Sequence, residues 1–202
     1  MIAIMDYGIG NLGSVKNAFD YLGFESHITS DINEILNADK VILPGVGAFK
    51  DAIDTFKKYG FDKVIDELIK KNTPILGICV GMQMLFEKDY EYGIHDGLGI
   101  LKGEVVKFDS NNGEFKIPQM GWNQVHVTKD NPLLKGIDGK DLYFVHSYYV
   151  TKNVLDTIAY TEYANVKYTC AVQKGNLFAT QFHPEKSGEV GLKILKNFGE
   201  LL

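Results

Sequence analysis

Thr73-Pro74-Ile75-Leu76-Gly77-Ile78-Cys79-Val80-Gly81-Met82-Gln83-Met84-Leu85-Phe86 joins a short apolar run to a second run of helical character through a cysteine flanked by glycines. The first run reads as a buried strand and the second as the start of a helix. G-x-C-x-G between them is the thiol form of a nucleophile elbow, a sharp strand-to-helix turn with the reactive side chain at its tip. Upstream lie three more strand-like runs, at residues 2–5, 24–28 and 40–43. Between the first two, Leu12, Val15, Ala18, Phe19 and Leu22 fall at helical spacing and stop at Gly23. Helical patterns surround Gly60, which breaks them. Strands alternating with helices, and apolar along their whole length, predict an α/β fold with an open, mostly parallel central sheet and helices on both faces.

Downstream the pattern changes. Residues 103–108, 122–128, 142–150, 157–163, 167–172 and 177–182 are strand-like and separated by Gly, Asn and Asp turns. Gln173-Lys174-Gly175-Asn176 reads as a hairpin turn. These segments predict an antiparallel β elaboration in the second half, inserted before the last strand and a final helix over 188–202. No linker or repeat interrupts the chain, so residues 1–202 are read as a single domain.

Composition narrows the class. With 45% hydrophobic residues the chain has a core to build and is not disordered. A net charge of −5 argues against general nucleic-acid binding. All 21 basic residues are lysine, so the bidentate guanidinium clamp for multiply phosphorylated ligands is missing. Two cysteines far apart, Cys79 and Cys170, do not make a secreted disulfide framework. No apolar run reaches the roughly 18 residues of a membrane span. The first five residues lack a basic leader and read as a strand, so a soluble, cytoplasmic protein is expected.

A thiolate, not a thiol, attacks a carbonyl, and a helix N-terminus favours the thiolate. Cys79 is therefore the candidate nucleophile, and the Val80 N–H a candidate oxyanion donor. Cys170, without glycines beside it, is assigned to the core. In Phe182-His183-Pro184-Glu185 the histidine and carboxylate stand two apart, and Pro184 favours an extended backbone at His183. Extended, both side chains point the same way, so Glu185 can hold one ring nitrogen while the other faces the thiol. His27, His95, His126 and His146 lack an acidic partner at similar spacing and are read as core or surface residues. Leu43-Pro44-Gly45-Val46-Gly47-Ala48-Phe49 ends the third strand and should lie beside the elbow, with Val46 and Gly47 completing the oxyanion hole. Gly8, Gly10 and Gly13 formally give G-x-G-x-x-G, but no acidic residue closes a ribose site about 20 residues on. The thiol chemistry calls for no cofactor or metal. A thiol peptidase or a glyoxalase-like enzyme can use such an elbow too, and a non-catalytic regulatory subunit with a dead site is the third alternative, against which the intact Cys79, His183 and Glu185 set argues. The His183-Pro184-Glu185 pair and Gln83 argue against the peptidase and glyoxalase-like readings.

Assembled, these segments resemble the class I, triad-type glutamine amidotransferases, and within them the glutaminase-subunit branch of imidazole glycerol phosphate synthase. The resemblance spans nearly the whole chain. It rests on Asp6-Tyr7-Gly8-Ile9-Gly10-Asn11, the Pro44–Phe49 and Gly77–Gln83 segments, Gly97-Leu98-Gly99, Pro118-Gln119-Met120-Gly121-Trp122-Asn123, Tyr143-Phe144-Val145-His146-Ser147-Tyr148 and His183-Pro184-Glu185-Lys186. It implies glutamine as substrate and a (β/α)8-barrel cyclase subunit as heterodimer partner, which binds the phosphorylated ribosyl substrate and receives ammonia through a tunnel. It also implies glutamine contacts at Gly47, Gly81, Gln83, Glu91, Ser147 and Tyr148, and an interface and ammonia gate at Asn11, Trp122, Tyr143 and Lys186. Gln119 stands where that family carries His, and positions such as Lys107 carry Lys where another basic residue is expected. These departures leave open a paralogue feeding ammonia to a different acceptor, such as a sugar-modifying synthetase.

Overall fold

The computed structural model describes residues 1–151 and 155–201. Four short strands, β1 (Ile2–Met5), β2 (Ser26–Thr29), β3 (Lys40–Leu43) and β4 (Ile75–Ile78), alternate with helices α1 (Leu12–Tyr21), α2 (Ile32–Leu36), α3 (Phe49–Lys58) and α4 (Phe61–Lys70). A single helical turn, α5 (Val80–Gln83), follows β4. Strands β5 (Lys88–Asp89), β6 (His95–Asp96), β7 (Glu104–Lys107), β8 (Gln119–Val127), β9 (Lys140–His146), β10 (Tyr148–Val150), β11 (Thr157–Tyr163), β12 (Val166–Lys174) and β13 (Leu177–Thr180) come next. A 3-10 turn at Pro184–Lys186 leads into α6 (Gly188–Gly199).

The sheet runs β2-β1-β3-β4-β13-β12-β10-β7-β5-β6, with β11, β8 and β9 branching from β12. The first five strands are parallel. The layer beyond β13 is antiparallel except where β5 meets β7. β13, from the end of the chain, is thus the last parallel strand, and the expected α/β architecture with its antiparallel addition is the observed one. α1 packs with α6, while α3 packs with α4 and α5, so two helical layers cover the sheet. α3 buries Phe49, Ala52, Ile53 and Phe56, and α4 buries Phe61, Val64, Ile65 and Leu68. Each such large side chain contributes about 1.5–3 kcal/mol when fully buried. Gly60 separates the two helices in a left-handed conformation with φ of 73°, which costs glycine nothing.

Several boundaries differ from the sequence reading, for local reasons. β2 starts at Ser26, because Phe24 closes the end of α1: its N–H reaches the Phe19 carbonyl and its ring meets Phe19 edge-on. α2 was not anticipated; Asp31 caps it by accepting the Asn33 and Glu34 N–H groups. The run 142–150 is two strands, broken at Ser147, and β8 starts at Gln119 rather than Trp122. The final helix ends at Gly199, and Leu202 lies outside the described residues. Among the described residues, no helix is long and apolar enough to cross a membrane.

Candidate active site

Register decides which loops meet. Ile78 of β4 pairs with Thr180 of β13, and Gly77 pairs with Leu43 of β3. The residues just past these three strand ends therefore share one edge of the sheet, where open α/β folds build their sites. Those residues are Cys79, the 181–186 segment and the Pro44–Gly47 loop.

Cys79 has φ of 55° and ψ of −109°, a left-handed backbone that a side chain rarely adopts. The bond from Cys79 N–H to the Thr180 carbonyl, 2.8 Å, helps hold it there. Close packing needs the flanking glycine: a Cβ at Gly81 would sit 2.1 Å from the Leu43 carbonyl oxygen. Gly81 is thus a packing residue and does not line the cavity described below. Because α5 is one turn long, its macrodipole is a small influence on the sulfur. The expected oxyanion donor is also engaged, since Val80 N–H points to the Gly45 carbonyl at 3.3 Å.

His183 and Glu185 do come together, with Nδ1 and Oε1 2.8 Å apart. The geometry is not the extended one expected. His183 is extended, but Glu185 lies inside the 3-10 turn, which curls the carboxylate back under the ring. The Glu185 side chain is 1% exposed. His183 N–H donates to the Tyr143 carbonyl, Ser187 Oγ–H donates to the His183 carbonyl, and Tyr143 N–H donates back to Ser187 Oγ. The imidazole lies against the Cys79 thiol and interacts with it directly. Burial alone would lower the pKa of His183, but its bonds to Cys79 and Glu185 outweigh burial and push it up to about 10. The ring is thus a strong proton acceptor for the sulfur beside it.

Two residues were missed in sequence. Gln181 is fully buried and directs its side-chain amide at Cys79 Sγ from 3.6 Å. Its position two residues before His183, on a chain running extended from β13, was the available signal. His146, read as core or surface, is buried and lines the cavity beside Cys79. Cys170 is fully buried, as expected of a core thiol.

A cavity of about 350 Å³ opens above the sulfur. Val46, Gly47, Cys79, Val80, Gln83, Glu91, Ser147, Tyr148, His183 and Lys186 line it, so most of the predicted contacts converge there. The volume suits a small molecule. Gln83 uses its amide on the Tyr148 carbonyl (3.0 Å) and on Gln181 Oε1 (3.1 Å), so it braces the wall. Glu91 Oε2 accepts the Phe49 N–H at the start of α3, 2.6 Å away. Trp122 is 55% exposed and meets Tyr143 edge-on. Lys186 is exposed at the cavity. Asn11 precedes α1, which packs on the 184–186 turn, and its side chain makes no capping bond. Among the described residues no group of three or more His, Cys, Asp or Glu side chains gathers as a metal site.

The family model for glutamine amidotransferase class-I matches residues 3–201. The chain belongs to this family. Its class-I relatives include the imidazole glycerol phosphate synthase subunit HisH of Caldanaerobacter subterraneus, 53% identical over all of this chain and 98% of the relative. The subunit of that name from Lactococcus lactis is 50% identical over 98% of both chains. Among solved structures, PurLQS from Thermotoga maritima superposes with a TM-score of 0.75 at 19% identity, over 98% of this chain and 96% of that one. That likeness concerns the fold alone.

Behind Glu91, Asp89 is fully buried; its Oδ1 accepts the Glu91 N–H at 2.7 Å, and its Oδ2 has no partner. Burial pushes the Asp89 carboxyl up to about 6, against the pull of that N–H. A carboxyl raised on folding contributes stability below its unfolded pKa, and that stability is lost as pH rises through the folded value. Asp89→Asn keeps the acceptor and removes the buried charge. It is expected to raise the unfolding free energy at pH 7.5 by on the order of 1–2 kcal/mol after screening, with a smaller gain at pH 5. Urea unfolding at the two pH values measures this, and an equal effect at both contradicts it.

Proposed function

We propose that this chain is the glutaminase subunit of an imidazole glycerol phosphate synthase. The observation that carries the reading is the meeting of Cys79 and His183 on the wall of one cavity, with Glu185 bonded to the far side of the imidazole. Identities of 53% and 50% to subunits of that synthase over nearly full length support the assignment within the family.

In this reading Cys79 sulfur, its proton passed to His183, attacks the side-chain carboxamide carbon of glutamine. The carbonyl electrons move onto oxygen, and the oxyanion is held by backbone N–H groups of Val80 and the Val46-Gly47 loop. His183 returns its proton to the departing nitrogen, the C–N bond breaks, and ammonia leaves a thioester on Cys79. His183 then takes a proton from water, whose oxygen attacks the thioester; glutamate departs and the thiol is restored. Glu185 fixes the ring and offsets its charge while it holds the extra proton. Gln181 donates to the sulfur and favours the thiolate. Glu91 and Tyr148 face the amino-acid end of the substrate, while Gly47, Gln83 and Ser147 shape the remainder. Ammonia passes to a (β/α)8-barrel cyclase subunit docked over Asn11, Trp122, Tyr143 and Lys186, which holds the phosphorylated substrate. The absence of arginine in this chain agrees with phosphate recognition on the partner.

The test is substrate selection. With the cyclase subunit present, glutamine is expected to be hydrolysed at least about a hundredfold faster than asparagine, whose carboxamide is one methylene short of the sulfur. Peptide cleavage without glutamine turnover would overturn the reading.

A further inference from the structure

A line of hydrogen bonds crosses the antiparallel layer from the half-buried Asn123 to the buried wall of the cavity. Asn123 Nδ2 donates to the Glu162 carbonyl at 3.1 Å, and Gln119 Nε2 donates to Asn123 Oδ1 at 2.9 Å. Tyr168 O–H donates to Gln119 Oε1 at 2.7 Å. His146 Nε2 lies 3.1 Å from the Tyr168 hydroxyl, and His146 Nδ1 lies 2.8 Å from the Tyr148 carbonyl. That carbonyl also accepts from Gln83, which orients Gln181, whose amide faces Cys79 Sγ. The line thus starts on β8 beside the exposed Trp122 and ends at the nucleophile.

Counting protons exposes its peculiarity. Both ends of the Glu162-to-Tyr148 stretch are main-chain carbonyls, which only accept. Five links need five protons. Asn123, Gln119 and Tyr168 place one each, so His146 must supply two, which only an imidazolium can do. Yet His146 is buried among the rings of Phe108, Phe144 and Tyr168, with no carboxylate bonded to it. Burial, with the His183 charge nearby, holds its pKa down at about 4. The ring is neutral at pH 7, and one link lacks its proton. If Nε2 carries the hydrogen, the gap falls between Nδ1 and the Tyr148 carbonyl, at the cavity wall. If Nδ1 carries it, Tyr168 turns its hydroxyl to Nε2 and both amides reverse. The gap then moves to the half-buried Asn123, where water can fill it. An unmade buried link is the costlier of the two.

We propose that His146 is a positioning residue of the glutaminase site, its tautomer set by the hydrogen-bond sense of Asn123 through Gln119 and Tyr168. A contact at Asn123 thereby decides whether the Tyr148 carbonyl, and the Gln83–Gln181 brace behind it, is fully bonded.

Position 123 can be forced either way. Asn123→Asp offers only acceptors, so the Gln119 amide faces it, Tyr168 donates to Gln119, and His146 carries its hydrogen on Nε2. Asn123→Lys offers only donors, reverses every link, and places the hydrogen on Nδ1. Nitrogen-15 NMR of the labelled imidazoles in the full chain distinguishes the two tautomers. Opposite tautomers in the two variants are expected, and the difference should vanish when Tyr168→Phe cuts the line. Gln119→Met cuts the neighbouring link should Tyr168→Phe fold poorly. Identical tautomers in the two variants, or a difference that survives the cut, overturns the proposal. Glutamine kcat/KM should fall several-fold in Asn123→Asp relative to Asn123→Lys, again only while Tyr168 is present; equal values overturn the positioning role. The turnover arm rests on the cavity being a glutaminase site. Failure of that reading abolishes turnover in all variants and leaves the tautomer difference, whereas failure of the present proposal removes the difference.

Discussion

The Cys79→Ala protein is expected to hydrolyse no measurable glutamine while folding and docking as the parent does. Removing an acyl-transfer nucleophile costs on the order of 10⁴–10⁶ in kcat, or about 5–8 kcal/mol of barrier. Nothing else in the site can substitute. Cys170 is buried in the core, and Ser147, on the cavity wall, has no acid–base pair of its own among its described contacts. The structural penalty should be small, because alanine keeps the Cβ that the strained backbone already tolerates and only a sulfur atom is lost. Its departure should be visible at the base. Burial would then be opposed by Glu185 alone, so the pKa of His183 should fall from its raised value. Glutamate formation at saturating glutamine and partner, urea unfolding, partner titration and imidazole NMR together read the variant. Turnover within tenfold of the parent would exclude the thioester route.

The sheet edge that makes this prediction possible was legible in sequence, because two kinds of signal agreed there. Apolar runs marked β1, β3, β4 and β13, and glycines marked the turns that follow β3 and β4. Chemistry-bearing residues then fell just past the strand ends, and only the register had to be supplied. Elsewhere long-range contacts prevailed over local pattern. β5 and β6 have two residues each, too few for periodicity to register. The break at Ser147 interrupts an apolar run that local pattern would continue. Pro184 misled in a specific way. It does favour an extended His183, but it also opens a 3-10 turn, and the carboxylate reaches the ring by curling rather than by alternation. Gln181 was overlooked because a buried amide carries no motif, and His146 was read as core or surface because no acidic partner stands near it in sequence. Their importance comes from neighbours distant in sequence, Cys79 and Gln83 for one, Tyr168 and Tyr148 for the other.

Glutamine turnover is expected to rise by about 10²–10³ when the proposed partner subunit docks, the range that a missing oxyanion donor accounts for in acyl-transfer enzymes. In the isolated chain the Val80 N–H, the donor nearest the nucleophile, is spent on the Gly45 carbonyl. An oxyanion at that position competes with a carbonyl already in place, and a transition state without its donor is raised by about 3–4 kcal/mol. Freeing the N–H needs rotation of the peptide units between Gly45 and Gly47. The chain there is suited to rotating: Val46 stands between two glycines, and Gly47 already holds a φ of 81° in the left-handed region. Gly45 cannot be enlarged, since a Cβ would approach Gly81 N to 2.6 Å. Glycine at 45 is thus required by packing against the elbow, and the room to rotate lies at Gly47, where a Cβ would meet nothing within 4 Å. A partner seated on the neighbouring surface can raise turnover only by favouring the rotated loop over the resting one. A hundredfold increase corresponds to about 2.7 kcal/mol of differential binding. Steady-state kinetics with and without saturating partner measures the ratio. Gly47→Val, which penalises a left-handed backbone, should change turnover in the complex far more than partner affinity. Equal turnover with and without the partner would show that Val80 N–H is not the missing element.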